Sequence, residues 1–389
     1  MFKAINTFAI PALTYSFGVI RWTQTDLHQL QTKINTTLTK HRCHHPKSAI
    51  QRLVLPRKDG GRGLIDITTL HNSITHKLRT YFYTKQDTSE LHKAVTLADN
   101  DYTPLNLHDT QINLDTQTDT NMIWRQKALH GRYPNEIDQP HVDKEASHAW
   151  LTTSGLYPET EGFMIAIQDQ VIYTKNYRKY ITKDTTMQND MCRKCHHASE
   201  TIQHIISSCP LITQTDYKHR HDQVGKIIHQ KLAHQHNLIT TTVPYYKYTP
   251  EIILESTSHK IYWDRAIITD KTIHHNRPDI TLIDKTNKTT YLIDIAVPNT
   301  HNLQKTQTEK ISKYTELAME VKALWRMDKV VIVPIVLSAT GIIPKALHPS
   351  LHTIQLPHYT YIELQKAVIL NTCRTVRMFL GEDTTQDNT

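Results

Sequence analysis

At 389 residues the chain is long enough for two or three domains, each with a core of its own, and needs no covalent staples to fold. Its 38 % apolar content lies below the globular average and its 10 glycines argue against an all-β architecture, while a formal charge of +8 suits a polyanionic partner. Five cysteines in a chain of this length do not make a secreted disulfide framework; three of them cluster, which points to metal in a reducing compartment. The 26 histidines add positive charge only below about pH 6.5 and are expected mostly at the surface. No apolar run approaches the roughly 18 residues of a membrane span. The opening MFKAINTFAIPALTYSFGVI is interrupted at Pro11 and no clear cleavage site follows, so it is not read as a signal peptide.

In chain order, residues 1–40 predict two helices. The first is kinked at Pro11, with Ile5, Phe8, Leu13 and Phe17 inward; the second is capped by Asp26, with Leu27, Leu30, Ile34 and Leu38 on one face. A basic loop follows, in which Lys40, Arg42, Lys47, Arg52, Arg57, Lys58 and Arg62 fall within 23 residues beside Gly60, Gly61 and Gly63. It reads either as a set of phosphate-backbone contacts or as a solvated basic loop. Residues 64–83 predict a third helix with Ile74, Leu78, Tyr81 and Phe82 inward. Residues 86–121 are polar and read as a linker with short elements. Residues 122–185 regain apolar content and predict helices; Arg178, Lys179 and Lys183 beside tyrosines are base-stacking and phosphate contacts or ordinary helix surface.

Cys192, Cys195, His204 and Cys209 have the form C-x2-C-x8-H-x4-C. A two-residue gap lets both thiolates of a turn face one ion, and His204 on a short helix with Cys209 at its end completes a tetrahedron. Three thiolates and an imidazole suit zinc and fill all four positions, so the site is structural rather than catalytic. Arg193 and Lys194 sit in the turn, where they can touch phosphate, and Arg220 and His221 in YKHRH join the candidate nucleic-acid contacts. Cys43 and Cys373 have no such partners. A helix is predicted from Tyr217 to about His236, with Val224, Ile227, Ile228 and Leu232 inward.

From Lys260 the apolar period changes from 3.6 to 2. KIYWDRAIIT predicts a strand, and Asp279–Ile283 with Thr290–Val297 a hairpin turning at Asp284–Lys288. Asn302–Trp325 predicts a helix with Ile311, Tyr314, Leu317, Ala318, Val321 and Leu324 on one face. Val330–Ala339 predicts a strand at the sheet centre, where Pro334 is awkward. Asp279 and Asp294, with 14 residues between them, can meet across the hairpin and hold a divalent ion that polarises a phosphate and activates water. A lysine is then wanted for the developing charge. The usual place for it in a PD-(D/E)xK nuclease, two residues after the second acid, is Ala296, so Lys310 or Lys313 must supply it, with Tyr314 assisting. The competing reading is two strand aspartates and a solvated lysine pair. Glu255 and Asp264 are further acids, and His274 and His275 are read as loop residues.

The chain resembles the carboxy-terminal part of non-LTR retrotransposon polyproteins that carry a restriction-like endonuclease. The likeness lies in KIYWDRAIITDKTIHHNRPDITLID, YLIDIAVP, EKISKY and VVIVPIVLSATG. It extends to CRKC…ETIQHIISSC, YKHRH, TEGFMIAIQDQ and the opening INTFAIPALTYSFGVIRW…LPRKDGGRGL. The resemblance implies an α+β multidomain chain. Its parts are a helical thumb-like domain (1–85), a mostly helical linker (86–185), a CCHC zinc knuckle (186–215), a connecting helix (216–250), an α/β endonuclease core of PD-(D/E)xK type (251–345) and a C-terminal helix and tail (346–389). It implies Asp279, Asp294 and Lys310 as the catalytic set with Lys313 and Tyr314 in the same motif, structural Zn²⁺, catalytic Mg²⁺, DNA and element RNA as partners, and a nuclear location. The implied activity nicks target DNA for reverse transcription. The aromatic-Ala-Asp-Asp turn of a polymerase palm is not in this sequence, LADNDY at Leu97 included. The chain is therefore expected not to polymerise by itself, and to be a truncated element copy, a partial gene model or a shortened host gene. The alternative is a nucleic-acid-binding remnant without catalysis.

Overall fold

Capping decides where the N-terminal helices begin. Thr23 Oγ1 accepts from the Asp26 N–H at 3.1 Å and Asp26 Oδ2 accepts from the Thr23 N–H at 3.0 Å, a reciprocal box that starts helix Gln24–Lys40. Thr23 is thus the cap and Asp26 its partner three residues in, where the sequence had suggested Asp26 as the cap. Asp66 caps helix Ile67–Lys85 by accepting from Thr69 N–H at 2.8 Å. Such a cap contributes about 1 kcal/mol to its helix.

The computed structural model of the chain describes residues 1–100, 102–103 and 116–381. It is mixed α/β and divides into two units, Met1–Pro134 with Leu156–Val171, and Asn135–Gly155 with Ile172–Thr389. The polar segment 86–121 is partly outside the described residues, as is the tail beyond residue 381. None of the described helices is long and apolar enough to cross a membrane.

The first unit is helical. Its opening stretch passes from α (Phe2–Ala4) through a π turn (Ile5–Ala9) to α again (Ile10–Thr14), with Pro11 at the start of the last segment. The π turn shifts the phase of the side chains. Phe2, Ile10 and Phe17 are therefore buried, and Phe8, expected inward, is 75 % exposed. Phe17, Leu27 and Ile67 form one core cluster, and Phe2, Leu38, Cys43, Leu53 and Leu64 another. Tyr81, also expected inward, is exposed.

The second unit is built on a five-stranded sheet. The strands of the unit in chain order are β1 (Val142–Asp143), β2 (Ile253–Glu255), β3 (His259–Trp263), β4 (Ile280–Asp284), β5 (Thr289–Ala296), β6 (Lys329–Val336) and β7 (Ile343–Pro344). The sheet order is β2-β3-β4-β5-β6, with β1 and β7 pairing separately. All neighbours in the sheet are antiparallel except β5 and β6, which are parallel and joined by helix Leu303–Leu324. Alternation along the strands covers both faces. Ile261, Ile280, Leu282, Ile293, Ile295, Val333 and Ile335 pack with Val224, Ile227, Ile228 and Leu232 of helix Lys218–Gln235 and with Leu364 and Val368 of helix Thr360–Leu380. Leu292 meets Tyr314, Leu317 and Val321 on the other face. Each such fully buried aliphatic side chain contributes about 1.5–3 kcal/mol.

Three expectations are corrected. β6 is the edge of the sheet, not its centre, so Pro334 faces a side where no ladder donor is needed. β3 ends at Trp263, because Asp264 takes a positive φ of 45° and binds Arg277. Ile311 and Leu324, expected on the buried face of their helix, are more than two-fifths exposed.

Candidate metal centre and carboxylate site

The four donors of the C-x2-C-x8-H-x4-C pattern converge. Cys192 Sγ, Cys195 Sγ, Cys209 Sγ and a ring nitrogen of His204 all lie within 4.8 Å of one another, and all four residues are buried. Cys195 Sγ is 3.3 Å from His204 Nε2. A tetrahedral zinc site would draw these atoms to separations of roughly 3.5–3.8 Å, so the donor set fits an ion such as zinc with little rearrangement. The local fold explains the convergence. Cys192 and Cys195 bracket a turn in which the Cys195 N–H points at Cys192 Sγ at 3.5 Å. Thr201 caps helix Ile202–Ser207 through the His204 N–H, which fixes where the imidazole emerges. Tyr217 ties the far side: its hydroxyl accepts from the Cys209 N–H at 3.0 Å and donates to the Ile205 carbonyl at 2.8 Å. Burial, partly opposed by the Leu211 N–H, pushes the Cys209 thiol up to about 11.

The second site lies at the ends of β4 and β5. One residue beyond the Ile280↔Ile293 pair, the next residues along the two segments are Asp279 and Asp294. Asp294 is 1 % exposed. The i, i+3, i+4 spacing of Lys310, Lys313 and Tyr314 sets all three on one face of helix Leu303–Leu324, and all three reach Asp294. Lys310 Nζ is ion-paired with Asp294 Oδ2, Lys313 Nζ lies 3.5 Å from Oδ1, and the Tyr314 hydroxyl donates to Oδ1 at 2.6 Å. Lys313 Nζ also donates to the Tyr314 oxygen at 2.9 Å. Burial, reinforced by the Asp294 charge, raises the Tyr314 pKa far above its ordinary value, so this phenol keeps its proton and acts as a donor.

Asp279 is held differently. Its Oδ2 accepts from the Ile295 N–H at 2.6 Å and faces His221 Nε2 at 3.1 Å, while Oδ1 takes no hydrogen bond from the described residues. Burial works against ionisation of Asp279, but the His221 hydrogen bond and charge, the Ile295 N–H and Lys310 together hold its pKa below the ordinary value. Burial likewise disfavours charge on His221, yet hydrogen bonds to Asp222 and Asp279 raise its pKa to about 10, so it is an imidazolium at neutral pH. His221, expected among the nucleic-acid contacts, lies instead against Asp279. Of the further acids, Asp264 is paired with Arg277, and Glu255 with Lys260 and Lys285. His274 and His275 are exposed loop residues.

No protein-family model matches the chain, and no curated protein matches it.

The basic candidates separate into three groups. Lys40, Arg42, Lys47, Lys58 and Lys194 are exposed. Arg57 and Arg193 are about one-third exposed and already paired, Arg57 with Glu161 and Arg193 through two nitrogens with the buried Glu200. Arg52, Arg62 and Arg220 are at most 1 % exposed, which replaces their reading as phosphate contacts with a structural one. Arg52 spans Asp169 at 3.1 Å, Gln168 at 2.8 Å and the Gly60 carbonyl at 3.0 Å. Arg62 donates to the Cys43 carbonyl at 2.7 Å and pairs with Glu161 at 2.9 Å. Arg220 donates to Thr372 Oγ1 at 3.1 Å and the Ile206 carbonyl at 2.8 Å, with the Val297 carbonyl at 3.4 Å. Burial lowers the pKa of Arg62 and of Arg220 to about 10. Enclosed in this way, these guanidinium groups do not reach the surface that a nucleic acid would touch.

Proposed function

We propose that the chain is a metal-dependent DNA endonuclease, the zinc-binding and restriction-like nuclease portion of a non-LTR retrotransposon reverse transcriptase, which nicks target DNA to prime reverse transcription. The observation that carries the reading is the gathering of Lys310, Lys313 and Tyr314 on Asp294, with Asp279 placed beside it by the β4–β5 register. Two hard carboxylates are the donor type a magnesium ion takes, and Asp279 Oδ1 carries no competing hydrogen bond from the described residues. Held by this pair, the ion would polarise the scissile phosphate and lower the pKa of an attacking water. Lys310 and Lys313 supply two ammonium groups where charge builds on the phosphate oxygens. Tyr314 fixes the Asp294 carboxylate from the protein side and keeps its own proton. The exposed cations Lys40, Arg42, Lys47, Lys58 and Lys194 are the candidates to meet DNA or element RNA, and the zinc-binding segment is the module read as positioning it.

The test is nicking of a supercoiled plasmid in Mg²⁺ by the purified zinc-loaded chain and by Asp294→Ala. The wild type converts the plasmid to open circles, and the variant does so at least ~100-fold more slowly. Equal rates from the two proteins would remove the assignment and leave the remnant reading.

A further inference from the structure

Resting on the nuclease reading above, we infer that His221 is the positioning residue of the carboxylate pair: it turns Asp279 so that one oxygen is occupied by protein donors and the other is presented to the ion. His221 lies in helix Lys218–Gln235, 58 positions before Asp279, and lines a cleft of about 400 Å³ together with Asp222, Trp263, Asp264 and Asp279. Its ring is held at both ends. Nδ1 faces Asp222 Oδ1 at 3.0 Å and Nε2 faces Asp279 Oδ2 at 3.1 Å. The Ile295 N–H adds a second donor to the same Asp279 oxygen at 2.6 Å. Oδ2 is therefore saturated by two donors from different elements, and the carboxylate plane is fixed; Oδ1 receives no donor from the described residues. A side chain with one oxygen tied down and its fellow open is oriented as a one-oxygen ligand before any ion arrives. Asp294, whose two oxygens are approached by Lys310, Lys313 and Tyr314, forms no hydrogen bond or ion pair with His221. The two carboxylates are thus hydrogen-bonded by different groups, Asp279 by His221 and the Ile295 N–H of β5 and Asp294 by Tyr314 of helix Leu303–Leu324, and of the two only Asp279 is bonded to His221.

Outer hydrogen bonds of this kind typically contribute 10- to 100-fold in metal affinity. The imidazolium charge works in the opposite sense, since a cation beside a ligand repels a divalent ion. Glutamine separates the two effects, because its amide keeps an N–H near the place of Nε2 and carries no charge. The experiment is Mn²⁺ binding to the zinc-loaded full chain, read from the electron paramagnetic resonance of free Mn²⁺, with Asp294→Ala as the blank, alongside the Mg²⁺ concentration for half-maximal plasmid nicking. His221→Ala is expected to raise both constants ~10-fold or more, while His221→Gln stays within about 3-fold of wild type. Zinc content and the thermal midpoint, measured on the same samples, show that the compared proteins are folded. Wild-type affinity or tighter binding in His221→Ala overturns the inference, as does a glutamine variant as weak as the alanine; either result leaves the nuclease reading standing. A wild type that binds no more Mn²⁺ than Asp294→Ala and does not nick overturns both.

Discussion

Arg220 gives the sharpest contrast between a cation that reads as a nucleic-acid contact and one that holds the fold. Truncating it to alanine removes a guanidinium that donates to Ile206 O, Thr372 Oγ1 and, at longer range, Val297 O. The losses are unequal. Thr372 retains its own bond to the Ala339 carbonyl at 2.9 Å, and the Val297 contact at 3.4 Å is weak, so the main orphan is the Ile206 carbonyl. One orphaned buried acceptor costs about 1–3 kcal/mol, and the cavity left by the long stem adds to it, so Arg220→Ala is expected to lose about 3–5 kcal/mol. Against this stands relief of a buried charge, since no carboxylate forms an ion pair with Arg220 among the described residues. Arg220→Met keeps most of the volume and discards the charge, and is expected to lose no more than about 1–2 kcal/mol. Urea titrations followed by fluorescence compare the variants, and filter binding of duplex DNA across a salt series gives the second measurement. Neither variant should change the slope of log K against log salt in its folded form. If instead both shed about one phosphate's worth of slope, roughly 0.9, while their urea midpoints match wild type, Arg220 is a phosphate contact and not a structural cation.

Two further outcomes follow from the second unit. The Cys192–Cys195–His204–Cys209 set should bind one equivalent of zinc, and chelation should raise amide hydrogen exchange across residues 190–212 more than in β4 and β5, since the donors organise only that segment. Cys195→Ser should bind zinc at least ~10-fold more weakly, and an unaltered zinc affinity in that variant would show that the cluster is not the site. The second concerns acid. Burial lowers His229 to about 4 from its ordinary 6.5. The unfolded chain therefore takes up a proton between those values that the folded chain refuses. The stability this neutral imidazole contributes is complete above about pH 6.5 and is lost as pH falls through that window, at up to about 1.4 kcal/mol per pH unit. Thermal midpoints from pH 7.5 to 4.5 should fall less steeply for His229→Gln than for wild type, after allowance for its lost 2.8 Å bond to Tyr248; parallel curves would count against a buried neutral His229.

What the sequence discloses about these sites follows the distance over which each is assembled. The four soft donors fall within 18 residues, close enough that turn and helix geometry limit where they can go, and the structure gathers them. Asp279 and Asp294 are joined by a single hairpin, and Lys310, Lys313 and Tyr314 by helical spacing, so each group was visible as a group. Partners drawn from far along the chain were not. His221 meets Asp279 across 58 positions, Arg52 meets Asp169 across 117, and Arg220 meets Thr372 across 152. No periodicity marks these pairs, and a buried arginine has the same letter as one on the surface. The apolar run of β6 misled in a related way. A strand covered on both faces reads as continuous hydrophobics whether it is central or at an edge, because coverage comes from helices and position comes from hydrogen bonding. Only Pro334 carried the information: a residue with no N–H to give belongs where one side of the ladder is open, and that is where it lies. The same reasoning applies to the glycines. Gly225 sits in the middle of helix Lys218–Gln235, where glycine ordinarily weakens a helix, and an added Cβ there would come within 2.6 Å of the Trp263 ring. That close approach of helix to sheet brings His221, one turn earlier on the same helix, within reach of Asp279, so a residue that looks like a helix defect in the sequence is part of what sets the geometry of the carboxylate site.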